Sequence, residues 1–344
     1  MWLRMLNEIK IKNFRRFDNL NLNVNNNLVI LAGLNATGKT TILEAIYLIS
    51  TSKSHRTNEI STLIKNDEQF AICQIKADRE YKMVVSKTGK ALFIDGIEIS
   101  RTSEFIGGIN VVMFSPSDLA LINGAKGEKR RFLDLELSIL DKSYLSASSQ
   151  YKKILKERNE ALKGNNVDLK YLEVLTLDLI KYCKIIASKR MAFLDNLNMI
   201  LSEICNDMQI EEIKLKYNKT YGDDIALSFK NKLNSDIFTK TTNIGIHRDD
   251  FTILLNDLDA REYASNGQAR TIIIAIKLAL KKYITNMTGQ EPVLLLDDVF
   301  AALDKNRIES ITKYVNNSQQ AFITTTQIEE IPSELLKNAL VIHL

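Results

Sequence analysis

Three short stretches carry residues whose types and spacing suit chemistry on a triphosphate. The first, GLNATGKT from Gly33 to Thr40, fits the phosphate-loop pattern GxxxxGK[ST]. Gly33 and Gly38 let backbone amides turn toward phosphate oxygens with no side chain in the way. A helix starting near Lys39 adds the positive end of its dipole. Asn35, Ala36 and Thr37 would line the cradle and Thr41 would follow in the first helical turn. Lys39 would neutralise the β- and γ-phosphates, and the Thr40 hydroxyl would ligate magnesium. The second stretch, VLLLDD from Val293 to Asp298, is an apolar run ending on two acids. Asp297 is expected to hold magnesium through water, and Asp298 to orient or deprotonate the attacking water. Lys39 and Asp298 are therefore the candidate catalytic pair.

The third stretch, SNGQ from Ser265 to Gln268, opens a long helical pattern ahead of the acid-bearing run. A serine hydroxyl and a glycine amide at a helix start make a clamp for a γ-phosphate. An ordinary serine N-cap accounts for the tetrapeptide as a local motif. Its placement favours the clamp, and a site closed by one chain alone would leave Ser265, Gly267 and Gln268 without work. They are expected to reach ATP held by a second copy, so that ATP joins two chains.

The elements that must position these groups follow from periodicity. Leu6 to Lys12 and Leu20 to Val24 alternate apolar and polar residues, as half-exposed strands do. Leu28 to Ala32, Val111 to Phe114, Val293 to Leu296 and Ala321 to Thr325 are short apolar runs, the pattern of buried strands. Three pieces between Phe70 and Ile99 read as strands, and Thr88-Gly89 and Asp95-Gly96 predict hairpins between them. Ile213 to Tyr217, Ile225 to Phe229 and Phe251 to Leu255 also have strand character. Thr40 to Ser50 and Gln268 to Ile284 read as helices, the second apolar nearly all round and hence buried. From Asp118 to Met208 glycine nearly vanishes and apolar residues recur at helical spacing, with a break at Lys163 to Asn166. This predicts a helical insertion over 118–208 and an ATPase head built from 1–117 and 209–344.

Composition bounds the class. The 344 residues are 45% hydrophobic with 3 Pro and 13 Gly, which excludes disordered and collagen-like chains. A formal net charge of +4 is compatible with a nucleic-acid partner and equally with an ordinary solvated surface. Cys73, Cys183 and Cys205 lack metal-ligand spacing and are read as buried small residues. Arg4, Glu8, Lys10 and Lys12 interrupt any signal-peptide core, and no apolar run approaches the roughly 18 residues of a membrane span. A cytoplasmic protein is expected.

The chain resembles the ATP-binding-cassette ATPases of DNA repair, the SMC-like group, and within it the RecF family. The resemblance runs nearly end to end through NFRRF (Asn13–Phe17), SHRT (Ser54–Thr57), MFSPSDL (Met113–Leu119), KRRFLD (Lys129–Asp134), GIHRDDF (Gly245–Phe251), YASNGQART (Tyr263–Thr271) and LLLDDVFAALD (Leu294–Asp304). It implies an α/β fold: a phosphate-loop head with a mixed sheet and an antiparallel β subdomain, carrying the helical lobe and no long coiled coil. It further implies an ATP- and magnesium-dependent homodimer with no membrane partner. That dimer would bind DNA at gaps or single-strand/double-strand junctions with little sequence preference. It would load the RecA recombinase with RecR and RecO in recombinational repair, replication restart and the DNA-damage (SOS) response. Ala302-Leu303-Asp304 resembles the loop lining the dimer seam. Ile246 stands where the family usually has Pro, and Thr324 to Gln327 stand where many transporter ATPases place a switch histidine.

Basic residues cluster at Lys126, Lys129, Arg130 and Arg131 and again at Lys152, Lys153, Lys156 and Arg158. Lys129, Arg130, Arg131, Lys152 and Lys153 are the candidate DNA contacts, against the alternatives of a solvated helix face or a brace between lobes. Arg56 and Arg248 are candidates for phosphate or seam contacts or for structural ion pairs. A short aspartate at 298 predicts slow hydrolysis that suits a switch, below the median enzyme rate of about 10 per second, and the resemblance implies that DNA stimulates it. Rival readings are the ATPase subunit of a membrane transporter, a small-molecule kinase using the phosphate loop alone, and a clamp that binds ATP without cleaving it.

Overall fold

The computed structural model describes residues 5–164, 166–301 and 303–344. Arg4, Asn165 in the expected helical break and Ala302 of the seam loop lie outside them. In chain order the strands are β1 (Glu8–Phe14), β2 (Phe17–Asn23), β3 (Leu28–Ala32), β4 (Phe70–Lys76), β5 (Glu80–Ser86), β6 (Gly89–Ile94), β7 (Ile97–Glu98), β8 (Val111–Phe114), β9 (Ile213–Asn218), β10 (Asp250–Leu255), β11 (Leu258–Asp259), β12 (Val293–Leu296), β13 (Ala321–Thr325) and β14 (Leu340–His343). The described residues divide into two compact units. One holds the chain through Leu119, Glu203–Ile210 and Ser265–Leu344; the other holds Ala120–Ser202 and Glu211–Ala264.

The first unit contains a parallel sheet in the order β14-β3-β13-β12-β8. Strands β3, β8, β12 and β13 are buried throughout. Parallel strands covered on both faces need continuous apolar runs rather than alternation, which is what these segments contain. Register pairs Leu296 with Ile323 and Ala32 with Thr325, so β3, β12 and β13 end near one level. The phosphate loop leaves β3 there, and the two acids leave β12. Ligands of open parallel sheets bind beyond the carboxyl ends of the strands.

In this unit antiparallel pairing belongs to a separate six-stranded sheet, β2-β1-β4-β5-β6-β7. Ile9 and Ile11 of β1, Cys73 and Ile75 of β4 and Met83 and Val85 of β5 join one core with Leu43, Ile46 and Ile49 of helix Lys39–Thr51. The expected hairpins are present: Ser86 pairs with Gly89 and Ile94 with Ile97. Asp95 and Gly96 both have left-handed φ, 50° and 79°, as a two-residue turn matching strand twist requires.

The second unit packs helices Lys126–Leu140, Lys142–Lys163, Ile225–Thr239 and most of Leu169–Met208 with the sheet β11-β10-β9. It includes 211–264, which the sequence assigns to the head. Buried long-range polar ties account for the difference. Arg158 is fully buried and donates to Asp236 Oδ2 at 2.8 Å and Thr242 Oγ1 at 2.7 Å. Arg190 donates to the Ile246 carbonyl at 2.8 Å and pairs with Asp134 at 2.7 Å. Breaking either pair would strand a buried charge. Ile225 to Phe229, expected as a strand, begins a helix. Asp224 caps it by accepting from Leu227 N–H at 3.0 Å, and Ile225 and Phe229, one turn apart, are both buried.

Helix Lys142–Lys163 is capped by Asp141, which accepts from Ser143 N–H at 2.8 Å and Tyr144 N–H at 3.1 Å and pairs with Lys189. Burial raises the Asp141 carboxyl, but these donors outweigh it and hold it at about 2, against an ordinary 3.8. A folded-state value below the unfolded one stabilises above roughly pH 4, and that stabilisation is lost as pH falls toward about 2. Asp141→Ala is expected to cost about 1 kcal/mol at pH 7, the worth of a cap with its partly exposed ion pair discounted. Urea unfolding at stepped pH would show the two proteins converging near the acid end.

Candidate nucleotide site

The phosphate loop is built around two positions that exclude side chains. Gly38 has φ 110°, and a Cβ there would lie 2.4 Å from the Phe17 ring and 3.2 Å from the Arg16 side chain. A Cβ on Gly33 would lie 2.7 Å from the Leu344 carbonyl oxygen. Helix Lys39–Thr51 starts with no side-chain cap on its first-turn amides. An uncapped N-terminus behind a glycine turn presents N–H groups and a positive dipole to an anion. Asn35 and Ala36 are exposed on the loop, and Thr37 Oγ1 donates to the Leu34 carbonyl at 3.0 Å. Thr41 is buried beneath the loop. Lys39 is 5% exposed; its Nζ donates to the carbonyls of Gly33 at 2.6 Å and Leu34 at 2.9 Å.

Thr40 connects this loop to the acid pair. Its hydroxyl donates to Asp297 Oδ1 at 2.8 Å, with Oδ2 at 3.1 Å. Thr324 at the end of β13 donates to the same Oδ1 at 2.8 Å and accepts from Asp298 N–H at 2.9 Å. It thereby fixes both acids. A hydroxyl beside one or two carboxylates is a hard-oxygen donor set, and magnesium takes few protein ligands besides substrate phosphates and water. The residues present fit that ion. Asp298 has left-handed φ, 47°. Burial, and then the Asp297 charge, push its carboxyl above the usual range despite Lys39, which suits a proton acceptor.

Ser265, Gly267 and Gln268 stand at the N-terminus of helix Asn266–Thr288. Ser265 Oγ accepts from Gln268 N–H at 3.3 Å, and Gln268 Oε1 accepts from Ser265 N–H at 2.9 Å. This is a capping box, so the local N-cap role holds. Ser265 is also exposed, and a Cβ on Gly267 would meet nothing nearer than the Arg307 guanidinium at 4.0 Å. Leu303 and Asp304 follow the acids, and Asp304 caps helix Lys305–Asn316.

Two motifs acquire a shared purpose that spacing alone does not reveal. Glu44, fully buried, accepts from Arg15 at 2.7 and 3.0 Å and from Ser54 Oγ at 2.6 Å, and lies 3.6 Å from Arg56. NFRRF and SHRT are thus tied to the helix behind the phosphate loop, and Arg56 is in an ion pair. An acid inside the apolar run ILEAIYLI is the signal that marks Glu44. His55 stacks edge-on against Tyr47 at 5.5 Å. Burial lowers its pKa despite Glu44, so its imidazole is neutral at pH 7. Arg16 and Phe17, packed on Gly38, are further loop neighbours that the motif alone does not single out.

The basic candidates separate. Lys152 and Lys153 are exposed, with Lys152 3.2 Å from Asp134. Arg130 donates to the Asp249 carbonyl at 3.3 Å, and Arg131 is half-buried. Lys129 departs from the expectation. It is 8% exposed with Nζ over the Phe251 ring at 5.8 Å, so its ammonium is not offered to a phosphate backbone. Arg158 leaves the second basic group for the same reason, buried against Asp236. Arg248 is exposed. Among the described residues no helix is long and apolar enough to cross a membrane.

Comparison with known proteins identifies the family and the fold. The family model described as the RecF/RecN/SMC N terminal domain matches residues 5–339. A DNA replication and repair protein RecF from Clostridium perfringens is 40% identical over 349 aligned residues, 97% of this chain and 96% of the relative. The RecF protein of Lactobacillus johnsonii is 36% identical over 362 residues, 98% and 97% of the two chains. A solved RecF–ATP structure from the RecFOR pathway superposes with a TM-score of 0.87 at 32% identity, covering 95% and 93% of the chains. An SMC head bound to the C-winged helix domain of ScpA superposes at 0.52 with 15% identity, a likeness of fold.

Proposed function

The chain belongs to the RecF/RecN/SMC N-terminal domain family, and from that premise we propose that it is an ATP-gated DNA-binding protein of replication and recombinational repair. One observation carries the reading: the Thr40 hydroxyl on the phosphate loop and Asp297 at the end of β12 lie within hydrogen-bond distance. The likeness to an ATP-bound RecF supports it. Gly33 and Asn35 to Thr41 would hold the triphosphate of ATP. Thr40 and Asp297 would hold magnesium, which when bound neutralises phosphate charge. Lys39 stabilises the terminal phosphates, and Asp298 receives the proton of the attacking water. Ser265, Gly267 and Gln268 of a second copy close on the γ-phosphate, and closure favours the DNA-gripping state only through contacts that the monomer lacks.

In this scheme the head supplies the nucleotide switch, and the second unit contributes basic surface through Lys152 and Lys153. DNA gaps and single-strand/double-strand junctions would be the sites, with RecR- and RecO-like partners and RecA loading downstream. Slow, DNA-stimulated hydrolysis resets the clamp. A gel-shift titration of gapped duplex tests the proposal. Binding should require ATP and weaken steeply with salt, by roughly a thousandfold between about 50 and 200 mM for a protein that neutralises about six phosphates. Equal affinity with and without ATP would remove the switch.

A further inference from the structure

Helix Leu169–Met208 buries one face through Leu172, Leu175, Leu179 and Ile186 and leaves another uncovered. On the uncovered face Tyr171 is 49% exposed, Val174 58% and Ile185 38%, with Leu177 at 60% beside them. Positions 171, 174, 178, 181, 185 and 188 follow the alternating three- and four-residue spacing of a two-helix seam. The middle of that seam is charged, Asp178 and Lys181, both exposed. Neither makes an ion pair within the chain among the described residues; Lys181 lies over the Tyr182 ring at 5.6 Å. An apolar stripe with an unneutralised opposite-charge pair at its centre is a surface shaped for a partner.

The order of residues identifies that partner. Antiparallel helices pair each first seam position with the second kind on the other helix. Turned about a two-fold axis between 178 and 181, this helix sets Val174 against Ile185 of its copy and Tyr171 against Ser188. Asp178 then meets Lys181 twice. Val174 faces Ile185, Tyr171 faces the small Ser188, and each charge faces its opposite, the self-complementarity that a two-fold contact requires. A one-turn slip in either direction brings a charge against an apolar residue, so the polar centre sets register, as a single polar seam position does in coiled coils.

We propose that the exposed face of helix Leu169–Met208 is a self-association surface, on which a second copy of this chain docks antiparallel about an axis between Asp178 and Lys181. The seam spans about 27 Å of helix, so the contact is small and reversible. It uses no residue of the nucleotide site and forms without nucleotide, so it stands or falls apart from the proposed ATP-gated dimer.

Cysteine trapping tests the register in the absence of ATP. Cys73, Cys183 and Cys205 are buried, so an introduced surface thiol is the reactive one. Val174 and Ile185 are about 16 Å apart along one helix, too far for a disulfide within a chain or between like positions across the axis. A mixture of V174C and I185C proteins should give a disulfide-linked dimer under mild oxidation, while either protein alone should not. In that mixture, adding D178K or K181D to both proteins places like charges together and should cut the yield about tenfold. The double exchange D178K/K181D restores opposite pairs and should restore the yield. These positions are exposed, and unchanged thermal unfolding would exclude misfolding as the cause. No linkage in the mixture, equal linkage in V174C alone, or no rescue by the double exchange would each overturn the proposal.

Discussion

Lys39→Met should abolish phosphate release and weaken ATP binding by roughly a hundredfold, while leaving the fold intact. The ammonium is the one side-chain cation held by the loop itself, gripped by the Gly33 and Leu34 carbonyls at 2.6 and 2.9 Å. A buried charge-assisted contact to phosphate is worth about 3 kcal/mol, and stabilisation of charge that develops during transfer adds on the order of 10²–10³ in rate. Methionine keeps the length and apolar stem of lysine. Helix Lys39–Thr51 therefore retains its packing against β4 and β13, and the melting temperature should shift by only a few degrees. Titration with a fluorescent ATP analogue, beside phosphate release, separates binding from chemistry. Turnover near wild type in this variant would mean that the phosphate loop is not where ATP is cleaved.

The nucleotide half of the proposed site is legible because its residues sit in contiguous segments. GLNATGKT must follow a buried strand and open a helix, and VLLLDD must end a buried strand; both conditions can be checked by periodicity over a few residues. The parallel sheet then brings Thr40 and Asp297 together without any signal of its own, because β3, β13 and β12 end near one level. Reading fails where the deciding interaction is distant in sequence. Arg158 belongs to a charge run and would be taken as solvated. Its partner Asp236 lies far along the chain, within the segment 211–264 that belongs to the second unit. Lys129 misleads in the same way, since Phe251 is what covers it. Ile225 to Phe229 fails for a local reason: a five-residue, mostly apolar run fits a strand and a helix start equally, and the Asp224 cap decides between them.

The sharpest discrimination comes from Ser265→Arg, because the proposed clamp would act across chains and the cap acts within one. Loss of the cap costs about 1 kcal/mol at the end of a long, largely buried helix, so the fold should persist. The phosphate loop of the same chain is untouched, so nucleotide affinity should stay near wild type. The bulky cation prevents the helix end from closing on a partner's γ-phosphate. ATP-dependent dimers should disappear in sedimentation velocity, and phosphate release should fall on the order of a hundredfold, the loss expected when a preorganised donor is removed from developing charge. Each variant is defective for a different chain's contribution, and mixing exploits that. A dimer of Lys39→Met with Ser265→Arg contains one site with an intact lysine loop facing an intact serine, and one site broken on both sides. Mixed in equal amounts, two inactive proteins should recover part of the wild-type turnover. Additive inactivity in the mixture, or ATP-driven dimers of Ser265→Arg alone, would show that the serine-glycine turn does no more than cap its own helix.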